Sequence, residues 1–168
     1  MEISEQQRVE SVMNILVLSD THGNYPLAIK ALDAAGPVDH IVHLGDGLDD
    51  AVIIEDISGL PTTKVVGNCD FSSSAVKDAI ISLAGQSIFI THGHRYSVKS
   101  GLDGLYRKAL DGGASVVLFG HTHLPLIENV HEVLFINPGC LSQSCQTTTY
   151  AMLSIICGKV TARIVPVA

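Results

Sequence analysis

The chain has 168 residues, of which 46% are apolar and 16% are charged, and its formal net charge is −7. A chain of this length is expected to form one domain, because a domain near this size buries roughly two-thirds of the surface that its unfolded chain exposes. The ten lysines and arginines are scattered, so no basic stripe is predicted to bind a long nucleic-acid backbone. No apolar stretch approaches the ~18 residues of a membrane span, and no membrane association is expected.

The N-terminal segment and the cysteines bear on the compartment. Residues 1–12 are polar and acidic and lack the apolar core of a signal peptide, so we expect a loose extension that can be disordered, followed by one folded domain over 13–168. The four cysteines form no CxxC pair, which favours free thiols over a disulfide framework, with Cys140 and Cys145 as small buried residues. These features predict a cytoplasmic protein.

In the first half of the chain, the hydrophobic pattern alternates between strand and helix. A strand at 14–19 is followed by a helix from an Asn24 cap to Gly36. The pattern then predicts a strand near 40–44, a short helix over 48–58, a strand over 63–66 and a Ser-rich loop at 71–74.

In the second half, strand signals dominate. Two short strands near 77–83 and 86–91 precede a helix that a capping box at Ser100 and Asp103 opens and that Gly112-Gly113 ends. Five further strands are predicted over 115–119, 124–130, 132–136, 148–156 and 159–165. Helices early and strands late indicate an α/β fold of two packed sheets with helices outside.

Five short polar segments follow these apolar, strand-like runs: Asp20-Thr21-His22, Gly45-Asp46, Gly67-Asn68, His92-Gly93-His94 and Gly120-His121-Thr122-His123. Because buried strands would deliver all five to one edge, their side chains are expected to meet there. A lone Asp, Asn or His beside a glycine is more often a turn residue, but five such segments in order reverse those odds. Between them they supply seven side chains that can bind metal ions: Asp20, His22, Asp46, Asn68, His92, His121 and His123.

Carboxylates and neutral imidazoles suit hard or borderline divalent ions, and the absence of a cysteine pair favours a catalytic over a structural site. We expect Mn²⁺, with Ni²⁺, Fe²⁺, Zn²⁺ and Co²⁺ as alternatives. Two ions ~3.5–4 Å apart need a shared carboxylate, for which Asp46 is the natural choice, and a bridging hydroxide could then attack phosphorus. Such a site has a net charge of about +1, so it can attract a small phosphoester to an acidic protein.

In this order, the five segments resemble the calcineurin-like metallophosphoesterase family. The resemblance runs from Met13 to Val165 and is closest to the small prokaryotic phosphodiesterase branch, which shares the Gly67-Asn68-Cys69-Asp70 segment. It implies a four-layer αββα sandwich of two mixed β-sheets flanked by helices. It also implies two ion sites that share Asp46: one with Asp20, His22, Asp46 and His123, the other with Asp46, Asn68, His92 and His121.

Cys69 stands where most family members place the histidine thought to protonate the leaving oxygen or stabilise the transition state. A thiol with a pKa of ~8.5 can donate a proton but lacks the charge of an imidazolium, so we hypothesise a preference for good leaving groups. His94 and Asp70 are the alternative acids, although His94 could instead shape the loop. We therefore predict Asp46, Asn68, Cys69 and His94 as catalytic residues.

Other polar residues near these segments have competing interpretations. His43 is expected to be a packed histidine. Asp49 and Asp50 could orient ligands or solvent near the metals, but acidic residues that open a helix are also favoured by its dipole. Arg95, Lys99 and Arg107 could contact a substrate phosphate, with solvated surface charge as the alternative for the last two.

The predicted function is dinuclear-metal hydrolysis of a small phosphodiester. A phosphomonoesterase, a nucleotide phosphodiesterase and a protein-binding scaffold resembling the retromer cargo-recognition subunit remain as alternatives. No insertion is long enough for a cap domain, so an open site is expected, and the high apolar content is compatible with a homo-oligomer.

Overall fold

The computed structural model describes residues 11–72 and 74–168. Ten strands and three α-helices occur in these residues. In chain order they are β1 (Val12–Leu18), α1 (Tyr25–Ala35), β2 (His40–His43), α2 (Leu48–Ser58), β3 (Thr62–Lys64), β4 (Asp78–Leu83), β5 (Gln86–Thr91), α3 (Asp103–Gly112), β6 (Val116–Leu118), β7 (Leu126–Val130), β8 (Val133–Asn137), β9 (Thr149–Ile156) and β10 (Lys159–Pro166).

The strands form two mixed five-stranded sheets. The first has the order β10-β9-β1-β2-β3, with β1, β2 and β3 parallel. The second has the order β4-β5-β6-β8-β7, with β5, β6 and β8 parallel. The carboxyl ends of parallel strands lie on one edge of a sheet, which is where ligands bind in open α/β folds.

Strand β1 shows why the layers form. Its last four residues are all fully buried. Ile15 and Val17 pack in the core between the two sheets, whereas Leu16 and Leu18 pack on the other face with Ala28 and Ala31 of α1. A strand that is covered on both faces has a continuous apolar sequence, in contrast to the alternating pattern of a half-exposed strand.

The outer face of the second sheet is covered by α3. Leu105 and Ala109 of this helix pack with Phe89, Val117 and Phe135. The layers are therefore α1 and α2, the first sheet, the second sheet, and α3. This arrangement confirms the αββα sandwich that the sequence implied.

Two predicted helix caps are wrong. Helix α3 begins at Asp103, with Leu102 in the cap position and no side-chain cap bond among the described residues, so Ser100 forms no capping box. Asn24 precedes α1 without capping it, because its amide instead donates to the carbonyl oxygen of Leu141 at 2.8 Å. In the second case, a tertiary contact has replaced the local one.

The prediction of free thiols is wrong for two of the four cysteines. Cys140 and Cys145 form a disulfide with their Cα atoms 6.4 Å apart, while Cys69 and Cys157 are free and exposed. The connection between β8 and β9 folds back on itself, bringing together two cysteines whose spacing resembles no familiar pair. Cys140 is fully buried, as predicted, and Cys145 is only half-buried.

Of the predicted N-terminal extension, residues 1–10 lie outside the described residues. Val12, its last residue, already belongs to β1. None of the helices in the described ranges has the length and apolar character needed to cross a bilayer.

Candidate metal centre

The loops that follow β1, β2, β3, β5 and β6 converge at one edge of the sandwich. They bring together all seven side chains predicted as metal ligands. Three come from the second sheet and four from the first, so the centre lies across the seam between the sheets.

The first group of ligands comprises Asp20, His22 and His123. One ligand atom from each lies within 4.8 Å of the others. His123 Nε2 is 3.0 Å from Asp20 Oδ1, and His22 Nε2 is 3.9 Å from the same oxygen. These are the members, apart from Asp46, of one predicted ion site.

The second group comprises Asp46, His92 and His121, whose ligand atoms also lie within 4.8 Å of one another. Asn68 Oδ1 lies 3.1 Å from His92 Nε2, which places this amide oxygen in the same group. Asp46 Oδ2 is 3.4 Å from His92 Nε2 and 3.7 Å from His22 Nε2, so it lies between the two groups. This is the position that a shared carboxylate needs.

The backbone at these ligands is strained. Nine non-glycine residues of the described chain have positive φ, and five of them are predicted ligands: Asp20, His22, Asp46, His121 and His123. A non-glycine residue in this region is uncommon, and such residues cluster at functional sites where surrounding contacts hold them. Contacts in the surrounding structure therefore offset the strain of the backbone conformations that orient these side chains.

Gly67 shows how tightly the loops are packed. A Cβ atom at this position would overlap both Asp46 Oδ1 and the Asp46 backbone nitrogen. Only glycine lets the loop after β3 approach Asp46 this closely.

Two features show that the residues present suit a cation. Asp20 Oδ1 is buried and makes no hydrogen bond with the described residues, although His123 Nε2 lies 3.0 Å from it. His92 Nδ1 donates to the carbonyl oxygen of Leu44 at 2.7 Å, so Nε2 faces the oxygens of Asn68, Asp46 and Asp20. An imidazole nitrogen and carboxylate oxygens that converge on one space fit divalent ions.

The pKa values of the metal-free protein reflect the same crowding. Burial acts to raise the pKa of Asp46, but hydrogen bonds from His92 and from the Cys69 backbone N–H outweigh it and hold the pKa well below its usual range. Burial acts to lower the pKa of His92, yet the hydrogen bond to Asp46 and the charge of Asp20 raise it. The opposite shifts reflect the close approach of the Asp46 carboxylate and the His92 imidazole, 3.4 Å apart.

The two predicted acids lie beside the ligands. Burial, followed by the charge of Asp46, raises the pKa of the exposed Cys69 thiol, so the thiol keeps its proton at neutral pH. The His94 ring lies 5.4 Å from that of His92, and burial and the charge of His92 lower its pKa. His94 is therefore largely deprotonated at neutral pH, which does not suit a proton donor.

Asp70 has a different role from the one considered for it. Its two oxygens accept four backbone N–H groups: those of Asp46, Gly47, Leu48 and Gly67, at 2.8 to 2.9 Å. This carboxylate fixes the loop that carries Asp46 and also supplies the cap of α2, whose N-terminal N–H groups attract negative charge. The Asp that follows Cys69 was the only sequence signal for this role.

Further residues missed at the sequence level hold the other loops. His43 Nδ1 accepts the Gly45 N–H at 3.2 Å, so its Nε2–H donates to Thr21 Oγ1 at 3.1 Å. The buried Asn137 donates to the carbonyl oxygen of Gly120 and to Thr122 Oγ1, each at 3.0 Å. Asp50 is buried and accepts the Gly23 N–H at 2.8 Å, which gives it more than a helix-dipole role.

The three candidate phosphate-binding cations differ in position. Arg95 pairs with Asp78 at 2.6 Å, and Arg107 is an exposed residue of α3. Lys99, in contrast, lines a cavity of about 260 Å³ together with Asn68, His121 and His123. It brings a positive charge to the candidate centre.

Comparison with known proteins agrees with this geometry. The family model of the calcineurin-like phosphoesterase superfamily domain matches residues 13–157. The probable metallophosphoesterase YsnB of Bacillus subtilis is 33% identical over 146 residues, which cover 85% of both chains. A phosphodiesterase of Methanocaldococcus jannaschii is 30% identical over 145 residues, covering 76% of this chain and 83% of its own.

Solved structures show the same fold. The crystal structure of a conserved protein from Streptococcus pneumoniae, described as a predicted phosphoesterase, matches with a TM-score of 0.78 and 28% identity, covering 93% of this chain and 90% of its own. Vps29 of Chaetomium thermophilum matches with a TM-score of 0.72 and 17% identity over 92% of this chain and 97% of its own, and shows the fold alone. From its family match, its fold and its cluster of ligands, this chain belongs to the calcineurin-like phosphoesterase superfamily and is a metal-dependent phosphoester hydrolase.

Proposed function

We propose that this protein hydrolyses small phosphodiesters at a dinuclear metal centre. The observation that carries the proposal is the presence of two adjacent groups of ligands. The first is Asp20, His22 and His123, and the second is Asp46, His92 and His121. Within the second group, Asp46 also lies close to the first, because its Oδ2 is 3.7 Å from His22 Nε2. Asp46 would be shared, and Asn68 would complete the second set. The phosphodiesterase of Methanocaldococcus jannaschii supports the choice of diester over monoester.

When bound, two divalent ions would neutralise phosphoryl charge and lower the pKa of a bound water molecule to about 7, as in other metal-dependent hydrolases. The chain's own residues hold and orient the ligands. The hydrogen bond from His92 Nδ1 to Leu44 keeps Nε2 aimed at the centre, and the N–H of His121 donates to Asp20 Oδ2 at 3.1 Å. The orphaned Asp20 Oδ1 and the strained ligand backbones support occupancy by cations, with Mn²⁺ the expected ion.

The leaving group departs without help from an imidazolium in this proposal. Cys69 replaces that charge with a neutral thiol, and the lowered pKa of His94 leaves it mostly uncharged. Lys99 is the cation that lines the cavity. Substrates whose leaving groups need little protonation are therefore expected to react best.

The test is hydrolysis of bis-4-nitrophenyl phosphate by metal-stripped protein, with and without Mn²⁺, Ni²⁺ or Zn²⁺. Turnover should require added metal. Asp46→Asn and His121→Ala should each lower it at least about a hundredfold, since even residues that only orient metal ligands cost 10–100-fold when mutated. His131→Ala, at an exposed histidine outside both ligand groups, is the matched control and should keep the full rate.

Two outcomes would count against the proposal. Hydrolysis that persists in the Asp46→Asn protein would remove the shared carboxylate from the reaction. No turnover with any metal, despite folded protein and two bound ions, would favour the alternative of a binding scaffold.

A further inference from the structure

A second and larger cavity lies beside the candidate metal centre. Its volume is about 620 Å³, which falls within the ~300–1,000 Å³ typical of small-molecule sites. Phe119 and Val98 are buried, whereas Leu124 is 68% exposed, so the cavity is a cleft that reaches from the core behind α3 to solvent. Most of its wall is apolar, formed by Val98, Leu102, Phe119, Leu124, Pro125 and Leu126.

The apolar cavity adjoins the cavity at the candidate metal centre. Lys99 and Thr122 line both cavities. Thr122 stands between the predicted ligands His121 and His123, and its hydroxyl is held by Asn137. A phosphodiester bound at the metal centre can therefore extend one of its two ester groups into the apolar cavity.

The polar groups at this cavity select against some substrates. The exposed carboxylate of Glu128 also lines it and would repel a second anionic group. Sugar hydroxyls buried against the apolar wall would lose hydrogen bonds to water without regaining them. The lining therefore disfavours nucleotides and favours uncharged, apolar ester groups.

We propose that the apolar cavity binds one ester group of the substrate, and that the preferred substrates are phosphodiesters with an uncharged alkyl or aryl ester. This inference rests on the proposed function, because it places the substrate's phosphate at the same metal centre. Lys99 lines both cavities, so its positive charge is available to a phosphate bound between them.

Binding of two inert diesters tests the proposal without relying on turnover. Manganese-loaded protein is titrated by calorimetry with dimethyl phosphate and with dibenzyl phosphate. Both ester groups of each ligand are the same, so the result does not depend on which one enters the cavity. Dibenzyl phosphate should bind at least about tenfold more tightly, since even one methylene in an apolar pocket is worth 10-fold or more.

Variants locate the preference in the molecule. Leu124→Ser, alone and with Leu126→Ser, should reduce the preference for dibenzyl phosphate to less than about threefold. Leu124 is mostly exposed, so the single variant is expected to fold, and a thermal melt verifies this. Leu110→Ser, at a half-exposed leucine of α3 outside the cavity lining, is the matched control and should keep the preference.

The charge selection has its own readout. A diester with a carboxylate on each benzyl ring should bind more weakly than dibenzyl phosphate, and Glu128→Gln should narrow that difference.

Equal binding of the two alkyl diesters, or a preference that both leucine variants retain, would overturn the proposal. Hydrolysis of bis-4-nitrophenyl phosphate without any benzyl preference would leave the proposed function standing and remove the cavity from it. A preference for dibenzyl phosphate in a protein that hydrolyses no diester would support binding of the ester group in the cavity and remove the proposed function.

Discussion

The two flanks of the candidate metal centre are held in different ways. On the acidic flank, around Gly47, Asp50 and Asp70, side-chain carboxylates accept backbone N–H groups from three separate loops. On the apolar flank, around Lys99 and Leu124, the surface is open and lined by apolar side chains. From this difference we infer that the acidic flank fixes the positions of the candidate ligands, whereas the apolar flank determines which substrates bind.

The largest effect is expected when the acidic flank loses Asp70. Asp70→Ala leaves four N–H groups without their acceptor, so the free energy of unfolding should fall by about 3 kcal/mol. Because the loop also carries Asp46, diester hydrolysis should fall about a hundredfold. Urea unfolding and kcat/KM measure the two effects, with Asp111→Ala, at an exposed position of α3, as the control. A variant with near-normal stability would mean that water replaces Asp70 at little cost.

The acidic flank should also make stability depend on pH through His43. Burial lowers the pKa of this fully buried histidine from 6.5 to about 4. Below pH 6.5, His43 is protonated in the unfolded chain but stays neutral in the folded protein until the pH approaches 4. Stability is therefore lost as the pH falls towards 4. The loss from this group between pH 7 and pH 4 should be about 3 kcal/mol.

His43→Gln isolates that contribution, because the pKa of His92 is raised and opposes it. Urea unfolding of both proteins across this pH range should show a steeper decline for the wild type. Parallel curves would mean that His43 titrates normally in the folded protein.

A smaller effect is expected on the apolar flank, at Lys99. Lys99→Gln removes an exposed positive charge that lines both cavities, so KM for a diester should rise about fivefold, the effect of about 1 kcal/mol. Steady-state kinetics at low and moderate salt should show the effect shrinking as salt screens the charge. Lys108→Gln, at an exposed lysine of α3, should change nothing. An unchanged KM in the Lys99 variant would indicate that the flank contributes shape without charge.

The smallest effect is expected from His94. Since burial lowers its pKa, His94 is mostly deprotonated at neutral pH, and His94→Ala should lower kcat by less than about tenfold with an unchanged pH profile on a poor leaving group. If the variant lost the basic limb of this pH profile, His94 would be the acid, contrary to the expectation from its lowered pKa.

The structure brings the seven predicted ligands together for a physical reason that the sequence contains. Each segment that carries them comes shortly after an apolar run such as 15–18 or 88–90, and such a run is typical of a buried strand. Because the strands before these segments run parallel within each sheet, their carboxyl ends lie at one edge, and the candidate ligands meet there. The strands, helices and layer order followed from the same local signals.

Residues that hold the candidate ligands in place were harder to predict from the sequence. Asp70 was considered only as an alternative acid, and Asn137 was not singled out as a residue that holds a loop. Each acts on backbone that is distant in the chain: Asp70 on a loop more than twenty residues earlier, and Asn137 on Gly120, seventeen residues earlier. The same holds for the Cys140–Cys145 disulfide, which depends on how one loop closes.

The sequence alone predicted two packed sheets with helices outside, and it predicted the seven candidate ligands that converge at one edge, because hydrophobic periodicity and strand-end residues are local properties of the chain. The tertiary structure alone decided that Asp70 and His43 lock the acidic flank, that Lys99 lies at the centre, and that an apolar cavity opens beside it. Those features depend on contacts between loops from different strands, whose relative positions exist only once both sheets have packed.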